Sequence, residues 1–200
     1  MSLAGFDSAW IVAGTLLTVG LLIAIRWVYR KYRKRGAWAM IKAEREDNKS
    51  RFIRSAESFA TIAQQLQTNW AAIDPLRTRI NIPQESLAGL IVWNCDFPEF
   101  NDTAWQTIRR TGLNTLFQPH EAREVEELYT DFCILQASMA KVRREIDAGS
   151  RHARVGSAET GPQWIADEME LMQAIRIAHD KLGADMRHFT HLHTDFVPSV

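Results

Sequence analysis

WIVAGTLLTVGLLIAIRWVYRKYRKR, residues 10–35, is an uncharged apolar run followed by a band of cations. No charged side chain stands between Trp10 and Ile25. With Ala9, Trp27, Val28 and Tyr29, the run reaches about the twenty residues that carry a helix across roughly 30 Å of hydrocarbon. Gly14, Gly20, Ala13, Thr15 and Thr18 suit a membrane helix better than a soluble core helix. Trp10 at one end and Trp27, Tyr29 and Tyr32 at the other stand where amphipathic rings favour the two interfaces. Arg26, Arg30, Lys31, Arg33, Lys34 and Arg35 complete the collar.

The collar decides between two readings, nucleic-acid binding and membrane orientation. Of the 24 basic and 24 acidic residues, six basic and one acidic (Asp7) fall within the first 35, leaving 18 basic and 23 acidic in the body. An acidic body repels phosphate, so no nucleic acid is expected as a partner. A cleaved signal peptide needs positive charge before its apolar region and a small-residue cleavage site after it. This chain reverses that order. The positive-inside rule then puts a short N-terminus outside and the body in the cytoplasm, with the collar on anionic lipid headgroups. In a reducing cytoplasm, Cys95 and Cys133 read as small buried hydrophobes, and Asn48-Lys49-Ser50 and Asn101-Asp102-Thr103 as chance sequons.

The body reads as all-α with coiled-coil-like seams. Phe52, Ala56, Phe59, Ala63, Leu66, Trp70 and Ile73 alternate gaps of four and three. Val125, Leu128, Phe132, Leu135, Met139, Val142 and Ile146 repeat the pattern, as do Met172, Ile175, His179, Leu182, Met186, Phe189 and His193. Pro119 opens the second series, with acids at Glu121, Glu124, Glu126 and Glu127 and cations at Lys141, Arg143 and Arg144 placed to complement the helix dipole. Three seams imply a bundle. Expected boundaries are an extracytoplasmic N-terminus over 1–8, a span over 9–29, a collar and stalk over 30–51 and a heptad helix over 52–73. A small helical module over 74–118, a second heptad helix over 119–148, a linker over 149–161 and a C-terminal helix over 162–194 follow. Within the module, Pro83 is expected to start a helix through SLAGLIVWNC, and RTRINI has some strand character. Asn101 or Asp102 should cap DTAWQTIRR, closed by Gly112. Trp93, Phe97, Phe100, Trp105, Leu113, Leu116 and Phe117 would form the module's core.

The string FPEFNDTAWQTIRRTGLNTLFQPHEAREVEELY resembles a pattern in uncharacterised bacterial single-pass membrane proteins. The matching positions are Phe97, Pro98, Ala104, Trp105, Ile108, Thr111, Gly112, Leu116, Phe117, Leu128 and Tyr129, about a sixth of the chain beside the N-terminal span. The resemblance implies a helical cytoplasmic domain behind one span in a bacterial inner membrane, and it supplies no catalytic residue.

Candidate chemistry is sparse. His188 and His191, three apart on a helix, with Asp195 nearby, are imidazole and carboxylate groups of the kind that hold divalent metals. His193 lies about 180° from His191 by helical phase, so the cluster reads better as a frayed C-terminal turn than as a metal site. His179, within a seam, fits register-setting or a pH response. Asp96 and Glu99 lack any accompanying nucleophile or oxyanion element and read as capping and solvation. GxxxxGK[ST], GxGxxG, HExxH, CxxC and GxSxG do not occur. No cofactor is expected, and the chain is read as a non-enzyme. The expectation is a membrane-anchored interaction protein, a scaffold or assembly subunit, whose seam of Phe52, Phe59, Leu66, Trp70 and Ile73 builds a homo-oligomer or meets a membrane protein. The alternatives are a regulatory or effector subunit, in envelope stress or phage defence, sensing a ligand in the 74–118 module near Trp93 and Trp105, and an enzyme of unrecognised type.

Overall fold

The computed structural model describes residues 4–78, 93–155 and 162–196. Over these the chain is all-α: α1 spans Ala4–Ile73, α2 Thr103–Arg110, α3 Pro119–Val155 and α4 Pro162–Leu192, with no strand among them. Short 3₁₀ turns occupy Asp74–Leu76, Leu113–Leu116 and Thr194–Phe196. Prolines punctuate this order. None occurs before Pro75, so nothing interrupts α1 until the residue after Asp74. Pro119 and Pro162 each occupy the first helical position, where a missing N–H costs nothing.

Two boundaries differ from expectation. α3 continues through Gly149-Ser150 to Val155. A single glycine costs a helix about 1 kcal/mol and does not stop it, and no proline follows before Pro162. Residues 156–161 of the expected linker lie outside the described residues. Most of the helix expected from Pro83, and residues 79–82 of the possible strand, also lie outside them. Trp93–Cys95, the end of that expected helix, have no regular structure. By contrast, α2 begins after Asp102, and Gly112 adopts φ +68°, the left-handed conformation that lets the chain turn out of the helix.

The chain divides into two compact units. One comprises residues 1–45 and 102–125, the other 46–101 and 126–200. The expected 74–118 module is therefore cut at Asn101/Asp102. Trp105 and Phe117 are buried in the first unit, whereas Phe97 and Phe100 are buried in the second.

In the first unit the expected stalk is a packed element. Ala37, Ile41 and Glu44 of α1 are buried, together with Ala104, Trp105, Ile108 and Phe117. Trp38 meets Phe117 edge-on at 5.1 Å between ring centroids. Glu44 accepts the Ala104 N–H at 2.8 Å and so caps α2 from another helix, satisfying a donor that the helix itself cannot. A carboxylate inside the packed face hides that face from a hydropathy reading.

In the second unit α1, α3 and α4 surround a cluster of phenylalanines. Phe52 stacks on Phe189 at 5.1 Å, and Phe132 lies 4.7 Å from Phe100 and 5.3 Å from Phe189. Phe196, fully buried, closes the cluster edge-on against Phe189 at 5.1 Å. The C-terminal turn is thus held down, contrary to the frayed end expected. A second cluster, Ile73, Leu76, Ile165 and Met172, packs with Trp70, Trp93 and Trp164.

The seams of α3 and α4 are buried at the expected positions, His193 being half-buried. On α1 the register differs. From Phe52 onward the buried residues are Phe52, Ser55, Ile62, Asn69 and Ile73, followed by Leu76 in the 3₁₀ turn, while Phe59, Leu66 and Trp70 are half-buried and Ala63 is exposed. Ser55 donates to the Arg51 carbonyl at 2.9 Å, which satisfies its hydroxyl inside the core.

Between these helices runs an irregular strap, residues 93–101. Helix side chains satisfy its backbone. Ser58 donates to the Asp96 carbonyl, Arg51 to that of Glu99 and Arg143 to that of Phe97. Asn48, fully buried, donates to the Asn101 carbonyl at 2.7 Å and accepts the Asn101 N–H at 2.8 Å. A buried backbone without a ladder needs such partners.

Candidate functional site

The segment of α1 from Trp10 to Tyr32 presents apolar side chains on every side. An 18-residue window there has mean hydropathy 1.8 with none of it buried, so the helix is long and apolar enough to cross a membrane. Eleven large apolar side chains from Trp10 to Val28 are exposed, Leu17 by 75%. At roughly 1.5–3 kcal/mol for each fully buried side chain, the unburied surface is worth on the order of 20 kcal/mol. That exceeds the whole stability of a typical domain, about 5–15 kcal/mol, so the segment requires a medium or partner that covers it. Thr18 donates to the Gly14 carbonyl at 2.9 Å, which satisfies its hydroxyl within the helix.

The collar cations are unequal. Arg26, Arg30 and Arg35 are exposed on α1. Lys31 lies over Trp27 at 4.9 Å from the ring centroid, and Arg33 over Tyr29 at 5.5 Å. Lys34, expected at the interface with the others, is committed to an ion pair. Its Nζ is 2.6 and 2.9 Å from the two Glu121 carboxylate oxygens. Glu121 also accepts the Gln118 N–H at 2.7 Å, half of a capping box at the start of α3. The Lys34 bond first, and the Gln118 N–H second, hold the Glu121 carboxyl below the ordinary glutamate range.

A second feature lies between α1 and α4 in the second unit. A groove of about 480 Å³ is lined by Ala63, Leu66, Gln67, Trp70, Ala71, Arg176, His179 and Asp180. Leu66 and Trp70 of the expected seam face it; Phe52 and Ile73 are spent inside the unit. His179 donates from Nε2 to the Phe59 carbonyl at 3.0 Å and stacks on the Phe59 ring at 3.9 Å and 6°. That geometry fixes the tautomer with the proton on Nε2.

The histidine cluster does not assemble. His188, His191 and Asp195 are exposed, and His193 turns instead to Asp131, 2.9 Å away. Among the described residues no group of three His, Cys, Asp or Glu side chains is arranged to hold a metal ion. Asp96 and Glu99 expose their side chains and contribute backbone carbonyls to the strap bonds. Trp93 and Trp105, the expected pocket walls, fall in different units. Cys133 is exposed, contrary to expectation, because its position on α3 falls outside the seam. Cys95 is half-buried, and desolvation pushes its thiol up to about 11 against the opposing pull of Arg143. Asn48 and Glu44 are the important residues the sequence did not point to. Their only signal is a heptad spacing continued from Ala37 and Ile41 through polar positions.

No family model, curated protein or solved structure matches this chain.

Proposed function

We propose that this chain is a single-pass membrane protein of the bacterial inner membrane, N-terminus outside and body cytoplasmic, that acts through protein–protein interaction or self-association as a scaffold or assembly subunit. One observation carries the reading: an 18-residue apolar window wholly unburied, followed by six cations within ten residues. Lipid covers the apolar surface, and the positive-inside rule supplies the direction. The anchor confines the body to the membrane surface and so raises its effective concentration toward itself or a neighbouring membrane protein. Leu66 and Trp70, which pack against the second cluster with one side and line the groove with the other, are the seam residues open to such a partner.

Cys133 provides a native topology probe, being exposed on the body. In spheroplasts, a membrane-impermeant maleimide is expected to leave Cys133 unlabelled until the membrane is permeabilised. Labelling of intact spheroplasts refutes the orientation, and extraction by alkaline carbonate refutes the anchor. Affinity purification through a C-terminal tag, after mild solubilisation, tests the interaction role by stoichiometric recovery of a second copy or of a membrane protein.

A second reading, a ligand-sensing regulatory or effector subunit, is favoured by the 480 Å³ groove with Trp70 on its wall and His179 beside it. It predicts a saturable change in tryptophan fluorescence on adding nucleotide or metabolite mixtures, lost in Trp70→Phe. A flat response leaves the scaffold reading in possession of that surface.

A further inference from the structure

We propose that the face of α1 carrying Trp27, Arg30, Lys31 and Lys34 binds a lipid headgroup bearing two phosphate groups, a proposal that rests on the membrane reading above. Residues at i, i+3, i+4 and i+7 share one helix face. Here all four line a cavity of about 290 Å³ whose wall is completed by Leu116, from the 3₁₀ turn after α2. Arg26, Arg33 and Arg35 belong to the same collar but do not line it. The collar therefore contains a shaped subset.

Two of the three cations are preplaced. The Trp27 ring holds Lys31, and both Glu121 oxygens hold Lys34. Arg30 adds a planar fork of the geometry that grips phosphate through two parallel bonds. Three positive charges line the cavity and Glu121 offsets one of them at Lys34, leaving two. Two charges match a headgroup with two phosphodiesters better than one with a single phosphodiester. A soluble diphosphate would offer the same phosphate chemistry. The membrane source is favoured by what stands on the same face one turn earlier: Ile23 and Ala24, exposed and apolar, form a track on which acyl chains can lie.

The test uses the full chain purified in an uncharged detergent, with lipid binding followed by native mass spectrometry. The probes are cardiolipin, phosphatidylglycerol at twice the concentration so that phosphate is matched, and inorganic pyrophosphate. Cardiolipin is expected to bind as one molecule per chain, ahead of phosphatidylglycerol. The double variant R30A/K31A should bind it about 30-fold more weakly, from about 1 kcal/mol for each cation. R33A/R35A removes the same charge away from the cavity and should change binding less than threefold. Equal weakening in both variants, or equal binding of phosphatidylglycerol, overturns the site. Displacement of cardiolipin by pyrophosphate overturns the lipid source and assigns the cavity to a soluble diphosphate. Release of the chain from membranes by carbonate would instead overturn the underlying membrane reading, whatever the titration gives.

Discussion

Asn48→Ala removes one side chain and strands two backbone groups at once. Asn48 is fully buried on α1, and both halves of its amide are engaged with the backbone of Asn101, at 2.7 and 2.8 Å. Leaving a buried polar group unsatisfied costs about 1–3 kcal/mol. Asn101 is half-buried, so water reaches it in part and the low end applies, about 1 kcal/mol for each group. Alanine is the better helix former by roughly 0.5 kcal/mol, which offsets some of the loss. The net destabilisation is about 1.5 kcal/mol, or about 5 °C in Tm for a body of this size. Hydrogen exchange by mass spectrometry, on the full chain in detergent, locates the effect. Peptides covering 93–101 should exchange about tenfold faster, while the α4 peptides carrying Leu182 and Phe189 move only with the global change. Asp96→Ala, with its exposed side chain, is the matched control and should leave both readouts unchanged. If Asn48→Ala melts within about 1 °C of the parent and the strap exchanges at its original rate, the strap is not held by side-chain bonds.

Glu121→Gln should lower Tm by about 1–4 °C at pH 7, the scale of one partly exposed ion pair of about 0.5–1 kcal/mol. Because the folded Glu121 carboxyl sits below its ordinary value, its contribution is present above about pH 4.3 and is lost as pH falls through the folded value; parent and variant melting curves must therefore converge on acidification. Cys133 should react with a maleimide at pH 8 well before Cys95, whose thiol at about 11 leaves about 0.1% thiolate there; comparable rates by peptide mapping contradict the burial of Cys95. Gly183→Ala should destabilise despite a helix-propensity gain of about 1 kcal/mol, since the new Cβ would meet Phe59 Cζ at 2.9 Å and that ring is pinned by His179; the double variant Phe59→Leu/Gly183→Ala should melt higher than Gly183→Ala alone, and a lower melt would refute the contact.

Where the core is apolar the sequence disclosed it, and where the core is polar it did not. α3 and α4 place Phe, Leu, Met, Ile and Val at alternating spacings of three and four, and those residues are buried. α1 carries Glu44, Asn48, Ser55 and Asn69 on its buried face, and each subtracts from the apolar period that a reader follows. Trp70 and Ala63 drew the seam one position aside, although Ala63 is exposed. The collar was legible as a block of charge. The division of labour inside it, with Lys34 tied to Glu121, depends on a pairing across 87 residues that no local pattern encodes. The C-terminal turn was read as frayed for the same reason, since Phe196, which holds it down, finds its cluster partners Phe52 and Phe132 on distant helices.

The strap also inverts the usual map of tolerance to substitution. It lends backbone atoms while α1 and α3 lend the side chains, so Asn94, Asp96 and Glu99, all exposed, are interchangeable with most residues. Asn48, Arg51, Ser58 and Arg143 are not, though their polar side chains are of the types found at solvent-facing positions. In a saturation-mutagenesis scan the irregular segment would appear permissive between two aromatic anchors, Phe97 and Phe100. The intolerant polar positions would appear on the helices, marking the course of a loop that is itself free to drift.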